Sequence, residues 1–173
     1  MKINSRIHFI GISGIGMSGI AELMLDKGYS IQGSDLSAND NTKRLKKKGV
    51  KFFLGHNKKN IKYAHAVVYS SAIKKNNPEI KEAYIKKIPV LSRADMLSEL
   101  MKNKKSIAIA GSHGKTTTTS LVGNIFNEAG LDPTIVNGGI INSFSNNNRY
   151  GKGEWMIVEA DEKIGRASCR ERV

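Results

Sequence analysis

The chain has 173 residues, of which 39% are hydrophobic, and a formal net charge of +13 at pH 7. This length and composition indicate a globular protein with one ordinary or two small domains, and the single cysteine, Cys169, excludes a disulfide framework and leaves no Cys/His cluster spaced for zinc. The basic runs, for example residues 43–49 and 102–105, carry no interleaved aromatic residues, so we expect a solvated basic surface and no nucleic-acid partner. No apolar run approaches about 18 residues and the N-terminus lacks a signal-peptide core, so we expect no membrane association and a cytoplasmic location.

Apolar runs alternate with stretches of helical period along most of the chain. In chain order, strands are predicted at residues 6–13, 29–35, 51–55, 65–73 and 89–91. Helices are predicted at residues 16–28, in the basic stretch that ends at Lys48, after the cap Asn77 and Pro78, and after the cap Ser92. This alternation predicts an α/β fold with a Rossmann-like, doubly wound parallel sheet. The polar stretch 102–106 marks the best domain boundary, because a new apolar strand begins just after it.

The first glycine cluster, residues 11–19, follows a predicted strand and opens a helix. Within it Gly14, Gly16 and Gly19 match the pattern GxGxxG, and Asp35 ends the next predicted strand. Such glycines let backbone N–H groups approach a diphosphate closely, and a carboxylate at that strand end can accept a hydrogen bond from a ribose hydroxyl. We therefore predict nucleotide or diphosphate binding. The alternative is that the glycines serve only close packing of helix on sheet.

A second phosphate-binding signature, GSHGKT, lies at residues 111–116, again between an apolar strand and a helix. The pattern GxxxxGK[ST] is not met strictly, because Ile109 stands where its first glycine belongs. The chemistry is still available, since loop N–H groups can surround phosphate, Lys115 can reach the terminal phosphates and the Thr116 hydroxyl can bind Mg²⁺. The alternative is that the threonine-rich helix start is only a capping device.

A carboxylate at the end of a neighbouring strand would complete such a site. Residues 155–158 form a predicted apolar strand, and Glu159 and Asp161 follow on the same side of it. We predict Glu159 as the magnesium ligand. Without the loop at residues 111–116, a short acidic turn would be the better interpretation.

Five segments carry a resemblance to a known family: HFIGISGIGMSGIAELM, SSAI with NPEI, IPVLSRADMLSELM, AGSHGKTTTTS and VEADE. In this order they resemble the Mur ligase family over residues 6–162. The resemblance implies a Rossmann-like UDP-sugar-binding domain at residues 1–103 and the start of a P-loop α/β ATPase domain at residues 104–162. It also implies an ATP-dependent, magnesium-requiring ligase of peptidoglycan precursor synthesis. The resemblance further implies that this ligase joins L-alanine to the carboxylate of UDP-N-acetylmuramate through an acyl phosphate.

The resemblance assigns functional residues to both loops. UDP-sugar binding is assigned to Gly14, Ile15, Gly16, Met17, Asp35, Ser70, Ser71 and Arg93. ATP binding is assigned to Gly111, Ser112, His113, Gly114, Lys115, Thr116 and Thr117. Catalysis is assigned to Lys115, Thr116 and Glu159, the last two as magnesium ligands. Ser13 departs from the family pattern, which usually has glycine there, and we expect the loop to survive with Ser13 at a negative φ.

The family pattern stops after Glu162. We expect residues 163–173 to be a non-native tail, of the kind that read-through of a sequencing adapter produces, and the chain to be a truncated and inactive fragment. The missing remainder should leave Ile107, Ile109 and Ile157 poorly covered. Two alternatives to a ligase remain open: a non-catalytic UDP-sugar-binding module and a nicotinamide-dependent dehydrogenase.

Overall fold

The computed structural model describes residues 5–102, 104–141 and 146–159. The chain forms two compact units, residues 1–93 and 94–173. The boundary predicted between residues 103 and 104 stays a prediction. The predicted tail, with Cys169, and Asp161 lie outside the described residues. Within the described part of the chain, no helix is both long and apolar enough to cross a membrane.

The first unit is built on a five-stranded parallel sheet in the order β3-β2-β1-β4-β5. The strands are β1 (Arg6–Ile10), β2 (Ser30–Asp35), β3 (Lys51–Leu54), β4 (Ala66–Tyr69) and β5 (Val90–Ser92). The helices are α1 (Ile15–Asp26), α2 (Asp40–Lys47) and α3 (Pro78–Ile85), with a 3-10 helix at Lys58–Ile61. Helix α4 (Arg93–Met101) begins at the last residue of this unit and otherwise belongs to the second. The predicted parallel α/β fold is confirmed.

The central strand β1 is buried on both faces of the sheet. Ile7, Phe9 and Ile10 are fully buried, as expected for a parallel strand covered by helices on both sides. Ile10 packs with Ile61 of the 3-10 helix and Ile80 of α3 on one of these faces. Because the strand order reverses at β1, the carboxyl ends of β1 and its neighbours form the edge at which ligands bind in such sheets.

Two strands end earlier than the sequence predicts. The strand predicted at residues 6–13 ends at Ile10, because Gly11 takes φ +81° and turns the chain. The strand predicted at residues 65–73 ends at Tyr69, where the Ile73 N–H closes a turn onto the Ser70 carbonyl at 2.9 Å. The apolar patterns extend beyond the strands because Ile12 is buried and Ile73 packs against the core, although both residues follow the strand ends.

The second unit is a four-stranded sheet in the order β6-β9-β7-β8. It comprises β6 (Lys105–Ile109), α5 (Lys115–Glu128), β7 (Thr134–Ile141), β8 (Asn146–Arg149) and β9 (Trp155–Glu159). Strand β9 pairs in parallel with β6 and β7, whereas β8 runs antiparallel to β7. Neither β7 nor β8 is predicted from the sequence, because glycine and asparagine interrupt the apolar pattern there.

The predicted exposure of apolar residues in this unit is wrong for Ile157. Ile157 is fully buried, because β9 lies between β6 and β7. Ile107 and Ile109 are half-buried on β6, which is an edge strand among those described. The most exposed large apolar side chain of α5 is Ile125, at 65%.

A buried carboxylate, Glu79, lies in the first turn of α3. The predicted cap is confirmed, since the Asn77 side chain accepts from the Glu79 N–H at 2.8 Å, with Pro78 between them. Burial alone would raise the pKa of Glu79, but the adjacent His8 and hydrogen bonds from Ser34 and Asn60 hold this pKa below its ordinary value of 4.5. The side chain is therefore an ionised carboxylate at neutral pH.

Acidification is expected to remove the stabilising contribution of Glu79. Because its pKa is lower in the folded chain than in the unfolded chain, the contribution is complete above about pH 4.5 and is lost as the pH falls through the lowered pKa. His8 and His56 are the other titratable groups facing this carboxylate, each with a ring nitrogen 3.3 Å from Glu79 Oε2. Urea denaturation of wild type and Glu79→Gln should give a difference in free energy of unfolding that is present at about pH 5 and shrinks at lower pH. A difference that does not change on acidification would contradict this expectation.

Candidate functional site

The loop between β1 and α1 lies at the carboxyl edge of the first sheet and is held by the end of β2. The N–H groups of Gly11 and Ile12 donate to the Ser34 carbonyl at 2.8 and 3.2 Å. Glycine is favoured at position 11 for two reasons: its φ is +81°, and an added Cβ would lie 3.1 Å from Ser70 Cβ. These contacts give the loop one defined path from the strand into the helix.

The first turn of α1 presents backbone N–H groups at this loop. The first intrahelical hydrogen bond runs from the Ser18 N–H to the Gly14 carbonyl at 2.8 Å, so the N–H groups of Ile15, Gly16 and Met17 precede it. The Ile15 side chain is 42% exposed, whereas the Met17 side chain is buried. Free N–H groups at the positive end of a helix dipole suit a phosphate group.

Ser13 fastens the loop to Asp35 at the end of β2. The Ser13 N–H and hydroxyl both donate to Asp35 Oδ2, at 2.9 and 2.5 Å, and Asp35 Oδ1 accepts from the Leu36 N–H at 2.8 Å. The Ser13 carbonyl accepts from the side-chain amides of Asn39 and Asn41, at 3.0 and 2.8 Å. Ser13 does not have a positive φ, as predicted. Asp35 therefore holds the loop in addition to any contact it makes with a ligand.

Arg93, at the start of α4, reaches the N-terminus of α1. A Cβ placed on Gly16 would lie 2.7 Å from Arg93 Cζ and 2.9 Å from its Nε, so the guanidinium lies directly on the glycine backbone. Ser70 lies against Gly11 just after β4, and Ser71 is exposed beside it. The structure therefore brings Arg93 and Ser70 to the same glycine loop from two other strand ends.

Two glycines shape the second loop, between β6 and α5. Gly111 has φ +154°, and Gly114, the residue before α5, has φ +75°. The Lys115 ammonium folds over the loop, with Nζ donating to the Gly111 carbonyl at 2.6 Å. Ser112 and His113 are exposed at the loop surface. The loop thus combines exposed backbone, a helix N-terminus and one lysine, as a phosphate site requires.

The Thr116 hydroxyl and the Glu159 carboxylate meet at the same edge of the second sheet. Strands β6 and β9 pair in parallel with Ile109 beside Glu159, so the loop after β6 adjoins the end of β9. Thr116 Oγ1 donates to Glu159 Oε2 at 3.0 Å. Thr117, the next residue of α5, is exposed. Two groups that are 43 residues apart in the sequence are thereby in direct contact.

These two groups fit a magnesium ion. Mg²⁺ prefers oxygen ligands and is commonly held by one or two protein groups together with phosphate oxygens and water. A hydroxyl and a carboxylate oxygen 3.0 Å apart provide that donor set. In the described residues, no group of three or more His, Cys, Asp or Glu side chains is arranged to hold a metal ion.

Most of the first unit and the start of the second match a known protein family. A sequence model described as "Mur ligase family, catalytic domain" matches residues 6–105, more than half of the chain. The chain belongs to the Mur ligase family. The matched range ends before the loop at residues 111–116, so the family assignment rests on residues 6–105 and not on that loop.

Individual Mur ligases extend the likeness over most of the chain. The UDP-N-acetylmuramate--L-alanine ligase of Rickettsia typhi is 61% identical over 156 residues, which are 90% of this chain and 31% of that protein. The ligase of the same name from Methylobacterium radiotolerans is 57% identical over 159 residues, 92% of this chain and 34% of that protein. The crystal structure of the UDP-N-acetylmuramate-alanine ligase from Thermotoga maritima matches with a TM-score of 0.82 and 32% identity, over 88% of this chain and 36% of that one. The chain spans about a third of the length of the curated relatives it matches.

The residues that hold the first loop of this Mur ligase chain in place are not among those predicted from the sequence. Asn39 and Asn41 bind the Ser13 carbonyl, and Ser34 binds two loop N–H groups through its own carbonyl. Asn39 had a detectable signal, because it caps α2 in a reciprocal pair with Thr42. A backbone carbonyl leaves no signal in the sequence, so the role of Ser34 was not predictable.

Proposed function

We propose that this chain carries the UDP-sugar site and the ATP loop of a ligase that joins L-alanine to UDP-N-acetylmuramate. The observation that carries the proposal is the convergence of Arg93, Ser70 and the α1 N-terminus on one glycine loop, in a chain whose named relatives are such ligases. The proposed substrates are ATP, L-alanine and UDP-N-acetylmuramate. We also propose a cytoplasmic location, since ATP and a nucleotide-activated sugar are substrates of that compartment.

In the first unit, the UDP diphosphate is proposed to bind at the start of α1. The N–H groups from Ile15 to Met17 would donate to its oxygens, and Arg93 would add a charge-assisted hydrogen bond from beside Gly16. Ser70 and Ser71 follow β4 at the same edge and offer hydroxyls to the substrate. Asp35 can accept from the ligand with the lone pairs that Ser13 and Leu36 leave available.

In the second unit, the loop at residues 111–116 and the first turn of α5, including Thr117, are proposed to hold the ATP phosphates. Lys115 would turn its ammonium from the Gly111 carbonyl to the phosphate oxygens. Thr116 and Glu159 would hold Mg²⁺, which when bound offsets negative charge on the phosphates.

The proposed reaction has two steps. A muramyl carboxylate oxygen forms a bond to the γ-phosphorus of ATP as the bond to the β-γ bridging oxygen breaks, giving an acyl phosphate and ADP. The alanine nitrogen then attacks the acyl carbon, phosphate leaves with the C–O electron pair, and the nitrogen loses a proton. Lys115 stabilises the charge on the transferring group, because positioning and electrostatics dominate such transfers.

Calorimetric titration of the 173-residue chain with UDP-N-acetylmuramate tests the first-unit site. We expect binding by the wild type and a loss of about tenfold in affinity for Arg93→Ala, because a charge-assisted contact to the diphosphate is removed. Arg6→Ala is the matched control, since Arg6 begins β1 at the opposite edge of the sheet. Equal losses in the two variants, or tight binding of NADH in place of the UDP-sugar, would contradict the proposal.

A further inference from the structure

The carboxylate of Glu79 is fully buried in the first unit and has no role in the proposed chemistry. Its Oε2 accepts from the Ser34 hydroxyl at 2.6 Å. Its Oε1 accepts from the Asn60 side-chain amide at 2.6 Å and the Asn57 N–H at 3.2 Å. His8, in β1, adds a ring nitrogen 3.3 Å from Oε2. A single buried charge thus joins groups from β1, β2, α3 and the segment that follows β3.

The hydrogen bonds around this carboxylate assign the protons of its neighbours. The Gln32 amide donates to the Asn60 carbonyl at 2.8 Å and lies 3.3 Å from His8 Nδ1, which therefore accepts. His8 then carries its proton on Nε2, the nitrogen that faces Glu79. The Ser34 hydroxyl proton is used on Glu79, so His56 Nδ1, 3.0 Å from Ser34 Oγ, donates to that oxygen. The Ser34 hydroxyl, the Asn60 amide and the Asn57 N–H thus donate to Glu79, and His8 turns a protonated nitrogen toward it. Such a set of donors suits an ionised carboxylate.

Ser34 connects this charge to the glycine loop. Its side-chain hydroxyl donates to Glu79, while its carbonyl accepts from the N–H groups of Gly11 and Ile12. Ser34 is itself fully buried. Asp35, the next residue of β2, holds the N–H and hydroxyl of Ser13. The residues on which the loop is anchored are thus adjacent in β2, and the first of them is fastened by Glu79.

We propose that Glu79 is a positioning residue for the diphosphate-binding loop, acting through Ser34. The expected effect of Glu79 on ligand binding rests on the proposed UDP-sugar site. Glutamine has nearly the same volume as glutamate but cannot replace Glu79. Whichever way the amide of Glu79→Gln is turned, its NH₂ group would face a donor from Ser34 or from Asn60. Ser34 then loses its fixed orientation, and the carbonyl that holds Gly11 and Ile12 becomes mobile.

Amide hydrogen exchange of the 173-residue chain tests the proposal without any ligand. In Glu79→Gln, exchange at Gly11 and Ile12 should quicken by about tenfold or more relative to amides of β5. Glu22→Gln is the matched control, because Glu22 is also a buried glutamate, 4% exposed, but pairs with Arg44 of α2. That variant should leave the two loop amides as in the wild type. Uniform quickening over the whole unit in Glu79→Gln would show a merely structural role and overturn the proposal.

If Glu79→Gln does not fold, a second variant, Ser34→Ala, tests whether the bond between Ser34 and Glu79 positions the loop. It removes the hydroxyl that reaches Glu79 and keeps the carbonyl that holds the loop, so the same two amides should exchange faster. Titration with UDP-N-acetylmuramate should show about a tenfold loss of affinity in either variant that folds, and none in Glu22→Gln. Unchanged loop exchange in Ser34→Ala would overturn the positioning role. If the wild type does not bind the UDP-sugar, the proposed function is overturned instead. The exchange data would still test whether Glu79 positions the loop.

Discussion

Replacing Lys115 with alanine is expected to weaken binding of ATP with Mg²⁺ to the 173-residue chain by about a hundredfold. The Lys115 ammonium lies over the loop at residues 111–116, 2.6 Å from the Gly111 carbonyl. It is therefore placed to exchange that carbonyl for the phosphate oxygens of a ligand. No other lysine or arginine lies within residues 111–128, which comprise the loop and helix α5, so no neighbouring cation of that segment can replace it.

The measurement for Lys115→Ala is a fluorescence titration with a labelled ATP analogue at fixed magnesium. Lys105→Ala is the matched control, because Lys105 begins β6 at the other end of the strand and forms an exposed ion pair with Glu154 at 2.8 Å. Its loss should change the affinity for ATP little. Similar affinities for Lys115→Ala and wild type would argue that the threonine-rich helix start serves only as a cap.

Replacing Gly33 with alanine is expected to lower the free energy of unfolding by about 3 kcal/mol. A Cβ on Gly33 would lie 2.7 Å from the Phe9 carbonyl oxygen and 2.5 Å from Ile12 Cδ1. Phe9 belongs to the central strand β1, whose backbone is paired on both sides and cannot shift without loss of hydrogen bonds. Ile12 is fully buried and also lies in the glycine loop, so the substitution should disturb the site as well.

Chemical denaturation of Gly33→Ala measures this loss. Gly49→Ala provides a graded control, because a Cβ there meets nothing within 4 Å but the residue has φ +87°. The free energy of unfolding of Gly49→Ala should therefore fall only by the cost of a left-handed backbone, about 1 kcal/mol. Equal losses in free energy of unfolding for the two variants would mean that β1 shifts to accommodate the added methyl group, and would contradict this prediction.

Local sequence pattern determined the fold class and the position of both loops. Alternating apolar runs and helical stretches predict parallel strands, and the glycines of residues 11–19 and 111–114 mark where strands turn into helices. The cap at Asn77 was also predictable, because asparagine before proline at a helix start satisfies local N–H groups. Such features depend on residues within about one helical turn of each other, and the sequence displays them directly.

The tertiary structure alone decided which distant groups meet. Ser13 reaches Asp35, Arg93 covers Gly16, and Thr116 touches Glu159 only because parallel strands bring their carboxyl ends to one edge within each sheet. The sequence suggested these residues as members of sites but could not supply their contacts, since each contact crosses 22 residues or more.

Glu79 illustrates the limit of local pattern most clearly. In the sequence it is an acidic residue in the first turn of a helix, where it would ordinarily be solvated and would interact with the helix dipole. In the structure it is fully buried, and its partners Ser34 and Asn60 come from segments 45 and 19 residues away. The sequence by itself determined the helix that carries this carboxylate. Only the packing of α3 against the sheet decided that it would be buried and ionised, because its donors are assembled by the tertiary fold.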